Sequence, residues 1–146
     1  MTFDAQAPAA GLPVVVRRLF EAEPQSVHAA REFAAAALDC WGPLSRTEDV
    51  RLCVSELASN ALTHGTSRDH CFLVVLDHDG TRVRVEVHDS RGRDEGAEPK
   101  VRRPGEGETR GRGLLIVDAV ADRWGVEARE PLGKVVWAEF GGARER

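Results

Sequence analysis

Cysteine is scarce: Cys40, Cys53 and Cys71 are the only three among 146 residues, an odd number with no CxxC pair and no Cys/His zinc-finger spacing. That argues against a disulfide framework and a structural metal site, and a reducing cytoplasm fits best. Long apolar runs are missing too, since nothing approaches the roughly 18 residues needed to span a bilayer. No Lys/Arg run is interleaved with aromatics, and the formal charge is -4 with a pI near 5.7. Direct nucleic-acid binding and an anionic membrane surface are therefore not expected. The opening MTFDAQAPAAGLP has Asp4, two prolines, no basic segment and no apolar core. It does not read as a secretory signal, and residues 1–11 and 142–146 are expected to be tails. No internal repeat is visible.

What is present is enough for one domain with a buried core, expected over residues 12–141: 42% of residues are hydrophobic and 30% charged. VVVRRLF (14–20) reads as a strand, and Pro13 before it, lacking a donor, points to a sheet edge. Ser26 is expected to cap a helix that WGP at 41–43 ends. Ser45 and Glu48 form an S-x-x-E box before an apolar stripe from Val50 to Leu62, predicting a helix to about His64 with Gly65 as a left-handed cap. CFLVVLD (71–77) suits a central strand, and Asp79-Gly80 a hairpin turn. In TRVRVEVHD, Val83, Val85 and Val87 share one face, and parity puts Asp89 on that side.

Residues 90–110 hold only Ala97 and Val101 as aliphatics beside five acidic and six basic side chains, too little to pack a core. So long a segment inside a domain reads as a lid or binding loop. GRG (111–113) opens a helix LLIVDAVADRW, and two short strands around PLGK close the chain. The expected fold class is α+β, a two-layer α/β sandwich with a mostly antiparallel sheet and helices on one face.

Three constellations could carry chemistry. Glu56 and Asn60 stack one turn apart on a helix flank, where they could hold a divalent ion or remove a proton; equally, they could be an ordinary polar edge. Asp89, inward at a strand end, either makes a turn or meets a donor such as an exocyclic amine. GEGETRGRG offers unobstructed backbone N–H groups at a helix start, suited to phosphate, although glycines there also serve plain flexibility. GxxxxGK[ST] is absent, and the glycines follow a lid instead of a strand, so neither a P-loop nor a dinucleotide fingerprint applies.

In order, ELASNALTHG, VHDSRGR and RGRGLLIVDAVADRWG resemble the N, G1 and G2 boxes of the GHKL (Bergerat-fold) ATPases, a histidine kinase-like ATPase domain. The likeness is strongest to the anti-sigma-factor serine/threonine protein kinases of partner-switching systems. It implies Glu56 as general base, Asn60 as Mg2+ ligand beside ATP, and Asp89 as acceptor of the adenine amino group. It further implies Gly92 at the base, Gly111, Arg112, Gly113 and Leu114 around the phosphates, and residues 90–110 as an ATP lid. His64 and Gly65 close the N box, with packing as their implied role.

As partners the resemblance implies an anti-anti-sigma (STAS-type) protein as phosphoryl acceptor and a sigma factor to sequester. The first helix, Arg31 included, would be the contact surface, and a homodimer is a family expectation. The glycine positions of the DxGxG pattern are Arg91 and Arg93 here, and Gly133-Lys134 stands where many relatives have Thr or Ser before the last strand. Those departures keep open an alternative: a regulator that retains the fold and ATP binding but acts as a protein-binding module with little kinase activity.

Overall fold

The structure, a computed structural model, describes residues 14–41, 46–65, 71–89, 110–129 and 133–141, the side chains of residues 64–65 and 110–113 excepted. Its five strands are β1 (Val14–Glu21), β2 (Cys71–His78), β3 (Arg82–Asp89), β4 (Arg123–Ala128) and β5 (Lys134–Gly141). They form one antiparallel sheet in the order β1-β2-β3-β5-β4. β1 is an edge strand, as Pro13 suggested. The alternation of side chains turns one face inward: Val16 and Phe20, then Phe72, Val74 and Leu76, then Val83, Val85 and Val87, and finally Val136, Ala138 and Phe140 are all buried. Register aligns these rows, with Val74 opposite Val87 and Leu76 opposite Val85, so that the valine rows meet without a gap.

Three helices supply the second layer: α1 (Gln25–Cys40), α2 (Thr47–Asn60) and α3 (Arg110–Val120). Ala30, Phe33, Ala34, Ala37 and Leu38 of α1 join Val50, Cys53, Val54, Leu57 and Ala58 of α2 and Val117 of α3 in one core with the sheet residues. Phe20 ties the layers, stacking on Phe72 at 5.5 Å and meeting the edge of Phe33 at 6.0 Å between ring centroids. The result is the expected two-layer α+β sandwich.

Local details differ from the sequence expectation. Ser26 does not cap α1: Pro24 stands at the cap position with φ −56° and ψ −38°, and Ser26 is buried in the first turn. A proline whose fixed φ already suits a helix lets the chain start two residues earlier. Ser45 and residues 90–109 of the expected lid, Gly92 among them, lie outside the described residues, as do the tails; Arg110, the last residue of that lid, belongs to α3. At the start of α2, Arg46 makes the connection. Its guanidinium bonds Asp49 at 3.0 Å, Asp122 at 3.1 Å and the Val120 carbonyl at 2.6 Å. One side chain thus clamps the start of α2 to the end of α3.

α2 does not run unchanged to His64. It gives way at Ala61 to a π turn, Ala61–Gly65, so Gly65 ends a wider turn of the same helical axis. The hairpin between β2 and β3 follows expectation: Gly80 has φ 100°, and Asp79 accepts hydrogen bonds from the N–H groups of Thr81 and Arg82, each at 2.9 Å.

On the outer face, Arg84 bonds Glu86 and Glu139, both at 2.8 Å, and lies 4.5 Å above the Trp137 ring. Trp137 also covers Gly125, its partner across the β4–β5 pair; a Cβ there would come within 2.9 Å of the indole. Gly125→Ala should therefore lower stability by about 1–3 kcal/mol, as an overpacked contact does, measured as a lower urea midpoint at an unchanged slope.

Candidate active site

Two strand ends and one helix flank carry the polar groups that the core does not explain. Asp89 closes β3 on the helix-covered face and is 3% exposed. A carboxylate there would cost several kcal/mol of lost hydration if left alone. The strand register supplies a counter-charge, because Lys134 begins β5 directly opposite Asp89 and its Nζ donates to Asp89 Oδ2 at 3.0 Å. The Lys134 side chain is itself 19% exposed, so both members of the pair are largely shielded from water. Gly133 delivers the lysine from a left-handed backbone, φ 102°, while its carbonyl accepts from the Arg129 N–H at 3.0 Å.

Glu56 lies on α2 with its side chain half-buried, and that burial lifts its carboxyl above the ordinary glutamate range. One turn on, Asn60 is the last α2 residue and is also half-buried. Among the described residues, neither side chain has a protein hydrogen-bond partner, so both polar ends remain available to a ligand. The π turn that follows Asn60 packs on β3, the strand that ends at Asp89. Beneath them Cys53 is inert, its thiol pushed up to about 12 by burial and then by the nearby Glu56 charge.

The third part is the start of α3. Gly111, Arg112, Gly113 and Leu114 lie inside its first turns, so the glycines are helical residues rather than a loop leading into the helix. The first four N–H groups of a helix lack intrahelical acceptors and sit at the positive end of its dipole; in a helix that begins at Arg110 these reach as far as Gly113, while the Leu114 N–H, the fifth, is spent within the helix. Leu114 packs against the core, and α3 lies beside α2. Arg31 of α1, half-buried, donates from Nη1 to Ser55 Oγ at 3.3 Å and so braces the residue next to Glu56, while its Nη2 meets His28 Nδ1 at 3.1 Å. Among the described residues no three His, Cys, Asp or Glu side chains gather into a metal cage.

The sequence did not point to Lys134 as the partner of Asp89. The unusual Gly133-Lys134 pair was visible, but the link between the two charges requires the register of the final hairpin.

With this geometry in place, the class follows. The family model of the histidine kinase-like ATPase domain matches residues 20–140, and the chain belongs to that family, with which ATP binding comes. No curated protein matches the chain. Among solved structures, it is similar to the RsbU and RsbW domains of Rv1364c from Mycobacterium tuberculosis, with a TM-score of 0.63 and 19% identity, covering 90% of this chain and 33% of that one. The chain thus spans about one third of the length of that solved protein, and the likeness is one of fold.

Proposed function

We propose that the chain is an ATP- and Mg2+-dependent protein serine/threonine kinase that phosphorylates an anti-anti-sigma (STAS-type) protein and sequesters a sigma factor, working in the cytoplasm. The observation that carries the proposal is a half-buried carboxylate, Glu56, with a raised pKa and no hydrogen-bond partner among the described residues, one turn from Asn60 on the flank of α2. A module that only binds has no use for such a base. Family membership and the presence of an RsbW domain in the matched structure support the same reading. No helix among the described residues is long and apolar enough to cross a membrane.

The proposed chemistry divides among three places. Asp89 accepts a hydrogen bond from the adenine amino group and anchors the base. Asn60 offers its amide oxygen to Mg2+, which supplies charge neutralisation between phosphates when bound. Gly111, Arg112 and Gly113 turn backbone N–H groups toward the phosphates with Leu114 packed on the core behind them, and Gly92 with residues 90–110 covers the site. Glu56 takes the proton of the partner's serine hydroxyl as that oxygen bonds to the γ-phosphorus and the bond to the ADP oxygen breaks. Positioning and charge compensation are most of what phosphoryl transfer needs from a protein.

A second reading keeps some ground because Arg91 and Arg93 replace two glycines of the base-binding box. It is an ATP-binding partner-switching module with little kinase activity. Incubation with γ-labelled ATP, Mg2+ and a candidate STAS protein decides between them. Label on the STAS serine is the expected result; ATP binding without transfer to any cognate partner favours the module.

A further inference from the structure

We propose that Lys134 is a specificity-determining residue that reads the nucleobase together with Asp89, donating to ring nitrogen N1 of adenine while Asp89 accepts from the 6-amino group. The inference rests on the nucleotide-binding reading above and deepens it. Its ground is the pairing of a donor and an acceptor 3.0 Å apart at the inward end of two adjacent strands. An ammonium carries three N–H donors, and among the described residues Asp89 is the only partner of Nζ, so donors remain for a ligand. Adenine presents a matching pair on its Watson–Crick edge, the amino group as donor and N1 as the neighbouring acceptor. A base that meets the pair with its Watson–Crick edge, its amino group on Asp89, presents N1 to Lys134, whereas the opposite orientation would present N7.

The placement of the lysine also fits a reading role. Its stem is packed and its backbone is fixed by the left-handed Gly133, so the ammonium is held in one place before any ligand arrives. A lysine serving only to neutralise Asp89 would leave binding indifferent to N1. A lysine that plugs the base seat would do the reverse and bind tighter nucleotide when removed. These alternatives predict different affinities.

The test is calorimetric titration of the full chain with ATP, with 1-deaza-ATP, in which C–H replaces N1, and with the 5′-triphosphate of purine riboside, which lacks the 6-amino group. Wild type should bind 1-deaza-ATP about tenfold or more weakly than ATP, the value of one hydrogen bond from a charged donor. Lys134→Met should bind ATP and 1-deaza-ATP alike while still losing affinity when the amino group is removed. Equal wild-type affinity for ATP and 1-deaza-ATP overturns the role of Lys134 and leaves the nucleotide site standing, and it needs no variant to fold. Tighter ATP binding by Lys134→Met also overturns it, in favour of a plug. Wild type that binds none of the three compounds overturns the nucleotide reading itself, and this inference with it.

Discussion

Glu56→Gln is expected to cut phosphoryl transfer to a STAS partner by about 10²–10⁴-fold, the usual worth of a positioned general base, with ATP affinity nearly unchanged. Glutamine keeps the shape and the helix propensity of glutamate on the flank of α2, so the core stripe of Val50, Cys53, Val54 and Leu57 should pack as before. What it removes is the ability to take a proton. The pH profile gives an independent check. Because burial raises the Glu56 pKa, the carboxyl stays protonated to a higher pH than an exposed glutamate, and a protonated base does nothing. Transfer should therefore rise as pH climbs through that raised value and level off above it. In the Glu56→Gln variant that limb of the profile should vanish. Transfer at the wild-type rate by the variant would remove Glu56 from catalysis.

How far this site could be read in advance depends on the range of the interaction involved. The strands were legible because alternation is a property of neighbours: Val83, Val85 and Val87 declare their face, and counting two further gives Asp89 on the same side, buried as the parity requires. The edge position of β1 followed from Pro13 in the same local way. Glu56 and Asn60 needed only helical spacing. The π turn at Ala61–Gly65 was not visible, since one widened turn leaves the apolar stripe through Ala58 and Ala61 almost undisturbed.

GRG is expected to open a helix running through Trp124; α3 does take in both glycines, but it stops at Val120, and Arg123 and Trp124 begin β4. That end is set by the grip of Arg46 on Val120 and Asp122, contacts more than seventy residues apart in the chain. The Asp89–Lys134 pair is of the same kind. Both charges stood in the sequence, 45 residues apart, but only the register of β5 on β3 sets them face to face.

That pair makes Asp89→Asn the sharpest probe of where the nucleotide sits. The carboxylate accepts from the Lys134 ammonium and, in the proposed site, from the adenine amino group. An amide of the same shape has one acceptor oxygen, and its NH2 must then point at one of those donors. Losing a charge-assisted hydrogen bond and gaining a donor–donor conflict should weaken ATP binding by about a hundredfold or more, roughly 3 kcal/mol. Stability should fall as well, by about 1–3 kcal/mol, because the shielded ammonium of Lys134 loses its counter-charge. The two effects can be separated. If Asp89 only closes a strand and balances Lys134, the melting temperature drops while ATP affinity, measured well below the melt, stays put. If Asp89 holds the base, affinity falls even where the variant is fully folded, and the Lys134→Met exchange in the same background changes it little further, since a lysine can read N1 only when the base is seated on the aspartate.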